Sequence, residues 1–181
     1  EEQEEVDMME LLKVAMRMRP DYLIVGEVRG EEAYVLFQAF ASGHHGLTTI
    51  HADNADGAVK RLVTKPMNVP TALLNMAHVY VSVKRVRSRT GIVRRVWEVK
   101  EFLDYTDRPV FVDILTNNGV NLERSSVVAK DELDELRRRS DLLREAAKHG
   151  LNDYKSVFHI VKNYYLNPEA TLKIVEAGGL P

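Results

Sequence analysis

The chain has 181 residues, 45% of them apolar and 29% charged, with 25 Lys and Arg against 27 Asp and Glu for a formal charge of −2, and it has no cysteine. That composition buries a core and excludes a disordered segment, while near-balanced charge argues against nucleic acid as a partner of the domain as a whole. The lack of cysteine excludes disulfides, thiolate metal sites and a cysteine nucleophile, and charges break every apolar run well short of the roughly 20 residues of a membrane span.

The first residues are an acidic run (Glu1, Glu2, Glu4, Glu5, Asp7) that reads as cut from something longer. Asp7 with Glu10 forms a capping box for a helix carrying Met8, Leu11, Leu12 and Ala15, which Pro20 stops. Tyr22-Leu23-Ile24-Val25 is a continuous apolar run, as expected of a strand buried on both faces. A helix is predicted over Glu31–Ala41 and ends at Gly43; a second strand follows over Leu47–Ile50 and a helix over Ala55–Val63. Strands alternating with helices at this spacing predict a parallel α/β sheet.

After Pro66 the pattern changes. A short helix is predicted over 67–77, introduced by Pro70. Val79, Val81 and Val83 then alternate with Tyr80, Ser82 and Lys84 as a half-buried strand. Arg89-Thr90-Gly91 turns, Ile92–Phe102 returns, and Pro109–Leu115 adds a third strand of an antiparallel meander. From Lys130 the chain is helical. One helix begins at Asp131, Glu132, Asp134 and Glu135 and ends at Gly150. A second places Tyr154, Val157, Phe158, Val161, Tyr164 and Tyr165 on one face, a stripe that reads as packing. Asn167-Pro168 opens a last helix to Ala177. The joint is expected near 117–130, giving an α/β unit with its meander over 1–117 and a helical subdomain over 118–181.

The densest chemistry lies in Arg19-Pro-Asp-Tyr-Leu-Ile-Val-Gly-Glu-Val-Arg-Gly30. Ligands collect at the carboxyl ends of buried parallel strands, so Glu27 there could order a water or a Mg²⁺ shell and Arg29 could face phosphate. The plainer alternative is an ion pair between Glu27 and Arg29 at the rim. A second cluster runs Ser42-Gly-His-His-Gly-Leu-Thr-Thr-Ile-His-Ala-Asp53. His44 and His51 fall at opposite ends of one strand, roughly 20 Å apart if it is fully extended, which argues against one metal shared between them. His51, at the same sheet edge as Glu27, could donate to a terminal phosphate; the alternative is a histidine that caps the strand. A third feature is basic: Lys84, Arg85, Arg87, Arg89, Arg94 and Arg95, with no acid between the first and the last. It is either a solvated hairpin that blunts edge pairing or a contact for an acidic neighbour, anionic lipid or nucleic acid. Only Trp97 is aromatic nearby, so a single-strand stacking platform is lacking.

Taken together, Met18-Arg-Pro-Asp-Tyr-Leu-Ile-Val-Gly-Glu-Val-Arg-Gly, then Ala-Ser-Gly-His and Thr-Thr-Ile-His-Ala, resemble the secretion-superfamily ATPases of type II secretion, type IV pilus assembly and archaellum rotation. The Glu-Val-Arg-Gly form and the tail with Tyr164-Tyr165-Leu-Asn-Pro-Glu are similar to the archaeal-type branch. The resemblance spans almost the whole chain, with its specific motifs in residues 18–62. It implies a partial RecA-like P-loop NTPase core of parallel strands, an antiparallel β meander and a C-terminal helical tail. Glu27 matches the acid of the family's atypical Walker B strand, with Gly26 in place of the usual aspartate. Gly43, His44 and His51 match its His box, and Ala58 with Arg61-Leu62 the helix after it.

What the resemblance implies is ATP hydrolysis with Mg²⁺ in a homo-hexameric ring, docked on a membrane platform protein at the cytoplasmic face of the membrane, with no nucleic acid partner. Glu27 would position the attacking water and the Mg²⁺ shell, with no direct metal ligand. His51 would sense the γ-phosphate, Arg29 would support it, and Gly26, Gly43, His44 and Arg61 would contact the nucleotide. The sequence contains no G-x-x-x-x-G-K-[ST], and Glu1–Glu5 does not match the family's acidic box. The chain is therefore expected to be the C-terminal part of such an enzyme, inactive alone. A non-catalytic module docking on an intact ring is the alternative. In such a sheet the phosphate-loop strand lies beside Leu47–Ile50, whose edge should be unsatisfied here.

Overall fold

A computed structural model describes residues 7–89, 91–116 and 119–181. The acidic run at residues 1–5 and Thr90 of the expected turn lie outside them. The chain divides between Val127 and Val128 into two units.

The first unit opens with α1 (Met8–Arg17), capped by the Asp7 carboxylate, which accepts from the Glu10 amide at 2.7 Å. Strand β1 (Tyr22–Val25) leads through a loop to α2 (Glu32–Ala41), and β2 (His45–Thr48) lies parallel to β1 with Tyr22 opposite His45 and Val25 opposite Thr48. The core gathers Leu12, Leu23, Val25, Val28, Leu36 and Phe37 with Val59 and Leu62 of α3 (Ala55–Val63). Gly46 is demanded by this packing: a Cβ there would collide with the Leu23 carbonyl oxygen and the Phe40 ring.

Two expectations are corrected. Strand β1 is not buried on both faces: Leu23 and Val25 are buried, while Tyr22 is 63% and Ile24 74% exposed. Alpha-helical cover lies on one side only among the described residues, and Leu47 of β2, paired with Ile24, shares the bare face. Strand β2 also starts and stops earlier than Leu47–Ile50. Past Thr48 the chain bonds to the loop after β1 instead of to a ladder: the Val28 amide donates to the Thr49 carbonyl at 3.0 Å and Thr49 Oγ1 donates to the Gly26 carbonyl at 2.6 Å. Among the described residues β2 pairs with β1 alone.

The helix expected over 67–77 is a 3₁₀ turn over Thr71–Met76. Residues before it are tied down differently, the Val69 amide donating to Leu62 at the end of α3. Then come β3 (Val79–Ser88), β4 (Gly91–Tyr105), β5 (Pro109–Thr116) and β6 (Gly119–Val120), an antiparallel sheet in that order. Tyr80, Phe102 and Phe111 pack edge-on and tilted at its base. Glu101, 3% exposed, accepts from the Ser125 hydroxyl and, at 2.7 Å, from the Ser126 amide, fastening the segment after β6 to β4.

The second unit holds α4 (Leu133–Lys148), α5 (Tyr154–Leu166) and α6 (Pro168–Glu176) around Leu142, Ala146, Ile160, Tyr164 and Val175. Asp153 caps α5 and Asn167 caps α6. Of the aromatic stripe of α5, Tyr164 is buried as expected but the rest turns outward: Tyr154 is 83% and Tyr165 70% exposed, and Phe158 and Val161 are exposed too. Ser156, Ile160 and Tyr164, spaced by four, form its buried face instead. The Tyr164 hydroxyl accounts for part of this choice, because it donates to Glu135 of α4 at 3.1 Å.

Candidate functional site

Parallel β1 and β2 end together, and the residues beyond their C-terminal ends converge. Glu27, on the loop after β1, has a side chain only 21% exposed and both carboxylate oxygens engaged. Arg29 Nη2 donates to Oε2 at 2.5 Å, and His51 Nε2 lies 3.1 Å from Oε1. The hydrogen bond from Arg29 holds the Glu27 carboxyl below the usual carboxylate range despite partial desolvation, and the charges of Arg29, His51 and Arg61 add to it. Arg29 and His51 are themselves 74% and 80% exposed, so they cover the carboxylate from the solvent side.

The backbone around this group is held by residues of other elements. Glu32 Oε1 accepts from the Arg29 amide at 2.6 Å and the Gly30 amide at 2.9 Å, folding the loop onto the start of α2. Thr49 holds the Gly26 carbonyl from β2's side, and Arg61 of α3 donates to the His51 carbonyl. Helix α3 is itself placed by two side-chain caps, a carboxamide and a carboxylate: Asn54 Oδ1 accepts from the Gly57 amide at 2.8 Å, and Glu98 of β4 accepts from the Ala55 amide at 2.9 Å. Ser82 also donates to Glu98 at 2.6 Å, and Lys100 lies 3.4 Å from Asp56. The meander thereby props the helix whose arginine props His51.

The candidate residues thus fall into two groups. Gly26, Glu27, Arg29, His51 and Arg61 meet at the C-terminal end of the parallel strands. Gly43 and His44 lie at the other end of β2. There Gly43, with φ of +95°, ends α2, and the His44 amide donates to Ala39 at 3.1 Å while its ring stays within 3.4 Å of Ser42 and Ala39. Residue-type patterns do not reveal Thr49, Glu32 and Glu98. Glu32 has a faint signal as an acid in a helix's first turn, whereas Thr49 and Glu98 act only through tertiary pairing.

This arrangement offers one ionised carboxylate beside an imidazole and two guanidinium groups, a donor set suited to a bound water and an anion. Among the described residues no three His, Asp or Glu side chains cluster to hold a metal directly. Between β2 and β3 runs a cavity of about 930 Å³, lined in part by Leu47, Thr48, Met76, Tyr80 and Val81. The buried hydroxyls of Thr48 and Tyr80 have no hydrogen-bond partner among the described residues.

Residues 1–108 match the family model described as type II/IV secretion system protein. The chain belongs to that family. Among similar proteins, an uncharacterized protein of Methanocaldococcus jannaschii is 37% identical over 90% of this chain and 60% of its own length. The conjugal transfer protein TrbB of Rhizobium radiobacter is 40% identical over 68% of this chain and 38% of its own length. Among solved structures, the VirB11 ATPase of the Brucella suis type IV secretion system overlaps 53% of this chain and 32% of its own, at 27% identity and a TM-score of 0.44. This secretion-family chain therefore spans about three-fifths of the first relative and less than half of the second.

Proposed function

We propose that the chain supplies the hydrolytic edge of an ATP site in a secretion or filament-assembly motor. The observation that carries the reading is the Glu27 carboxylate held between Arg29 and His51 at the carboxyl ends of two parallel strands. Phosphoryl transfer needs little covalent help from protein; positioning and charge stabilisation account for most of the catalysis. Glu27, kept ionised by Arg29, is placed to accept a hydrogen bond from the attacking water. His51 Nε2 and the Arg29 guanidinium are donors that can turn from Glu27 to the terminal phosphate. Arg61 fixes the backbone of His51, and Thr49 that of Gly26. Gly43 and His44 set where β2 begins and therefore where His51 ends up.

The donor set fits Mg²⁺ held through water, with Glu27 outside its direct shell. When bound, Mg²⁺ with ATP supplies an electrophilic phosphoryl group with its charge partly neutralised.

The chain carries no G-x-x-x-x-G-K-[ST], so a further segment must cradle the phosphates. The cavity between β2 and β3 supports a strand of that segment there, since among the described residues no strand pairs with the outer edge of either and apolar side chains line the space between them. This supports a site assembled only with that strand in place, and a chain that alone turns over no ATP. A homo-hexameric ring on a membrane platform protein at the cytoplasmic face of the membrane completes the reading. No helix among the described residues is long and apolar enough to cross a membrane.

Two observations test this. An in-frame G-x-x-x-x-G-K-[ST] in the genomic reading frame before Glu1 is expected, and a start codon directly before Glu1 would make the chain a non-catalytic module instead. In the polypeptide restored to that frame, Glu27→Gln should lower kcat by about 10²–10⁴-fold with ATP binding retained. An unchanged kcat overturns the role of Glu27.

A further inference from the structure

Past Val83, the last residue of β3 that lines the cavity proposed for the missing strand, the ribbon formed by β3 and β4 has features the ATP site does not use. Strand β5 pairs with β4 only from Val99 to Tyr105, so the pairs from Val83↔Val96 to Ser88↔Gly91 form a two-stranded ribbon beyond the third strand. Two-stranded ribbons are marginal in water at best. This one also sets like charges directly opposite each other, Lys84 against Arg95 and Arg85 against Arg94, and such pairs destabilise a ladder. Among the described residues no ion pair reaches Arg85, Arg87, Arg89, Arg94 or Arg95. Lys84 rests over the Trp97 ring at 4.7 Å. Charge points from both faces of the ribbon, Lys84 from one and Arg85 and Arg87 from the other, because successive strand residues alternate.

The two edges differ. Strand β4 carries an extra residue, Trp97, where its register against β3 shifts, and bulges blunt an edge. Strand β3 runs unbroken and without proline from Val79 to Ser88, and no strand among the described residues pairs with its outer edge.

We propose that the outer edge of β3 at Lys84–Arg87 takes up an extended acidic segment of a partner protein as an added strand. Charge complementarity and the free backbone edge select this occupant together. An added strand with acids at successive positions meets the cations on both faces and uses the open backbone donors and acceptors. A lipid surface would engage one face and a nucleic acid only the charges, and neither would use the backbone. A second copy of the ribbon is repelled by its own charge. The mix of one lysine and five arginines suits carboxylates, which the guanidinium fork binds in pairs.

The test is fluorescence anisotropy with a labelled ten-residue peptide of Glu, Val and Thr bearing acids at successive positions. Two variants of it are N-methylated on alternate residues, one set in each. The parent peptide should bind the 181-residue chain and the polypeptide restored to the frame before Glu1 alike, in a salt-dependent way. Binding to the 181-residue chain alone overturns the proposal, because the peptide then fills the missing strand's gap. One N-methylated form should bind at least tenfold more weakly and the other nearly as well, since only one set of amides faces β3. Amide hydrogen exchange should slow on alternate residues of Lys84–Arg87 and stay unchanged on Gly91–Val96. Arg94→Glu should weaken peptide binding severalfold while raising the Tm, a pairing of effects that a purely structural role does not produce. Equal binding by both methylated forms overturns the proposal. So does uptake of phosphatidylglycerol vesicles or a 20-base-pair duplex by a chain that ignores the peptide.

Discussion

At the scale of single residues, charge is organised around carboxylates that are kept ionised. Arg29 lowers the Glu27 carboxyl; for Glu98 and Glu101 burial pushes upward, but their hydrogen bonds win and hold both below the usual range. A carboxyl depressed in the folded state contributes stability that is complete above its unfolded pKa, about 4.3 for Glu, and is lost as pH falls through its folded pKa. The first unit should therefore hold its stability from neutral pH down to about pH 5 and lose it progressively below about pH 4. Urea midpoints measured across that range check this, and Glu101→Gln should flatten the acid limb while costing about 1–3 kcal/mol at pH 7. Gly46 gives a steric counterpart: Gly46→Ala must push β2 off β1 or displace Phe40, at a cost of about 1–3 kcal/mol in the same assay.

Glu27, Arg29 and His51 are visible in the amino-acid sequence because strand ends and short motifs place them, and the structure brings them into contact. Thr49, Glu32 and Glu98 are not, since each acts through a partner fixed by tertiary structure: a carbonyl on the neighbouring strand, a loop amide, a helix end.

At the scale of elements, helices with a cap are foreseen to within a residue or two, as with Asp7 before α1, Asn167 before α6 and the span of α3. Faces are foreseen less well. The run Tyr22–Val25 reads as doubly buried because its composition is uniformly apolar, yet composition does not say which neighbours are present. The α5 stripe misleads for a different reason: two apolar faces compete on one helix, and the one carrying Ile160 and Tyr164 is buried. On the ribbon, the like-charge pair Arg85–Arg94 opposes folding, so Arg94→Glu should stabilise the first unit by about 0.2–1 kcal/mol in thermal unfolding.

At the scale of the whole molecule, the two units have separate cores, one built on Leu36, Phe37 and Val59 and the other on Ile160, Tyr164 and Val175. Ile160→Ala should cost residues 128–181 about 2–5 kcal/mol and leave amide exchange in α2 and β1 unchanged. Among the described residues the first unit presents two sheets, with no strand paired to the outer edge of β2 or of β3 and a cavity between those edges, and Glu27, Arg29 and His51 meet past the ends of β1 and β2. Those features cohere if the hydrolytic edge is here and the phosphate cradle is on another segment. Phosphate release from Mg·ATP is the measurement that tests this most directly. The purified 181-residue chain should release none above blank, and the polypeptide restored to the frame before Glu1 should release phosphate at a rate that Glu27→Gln lowers about 10²–10⁴-fold. Turnover by the purified chain alone, lost on Glu27→Gln, would contradict the account.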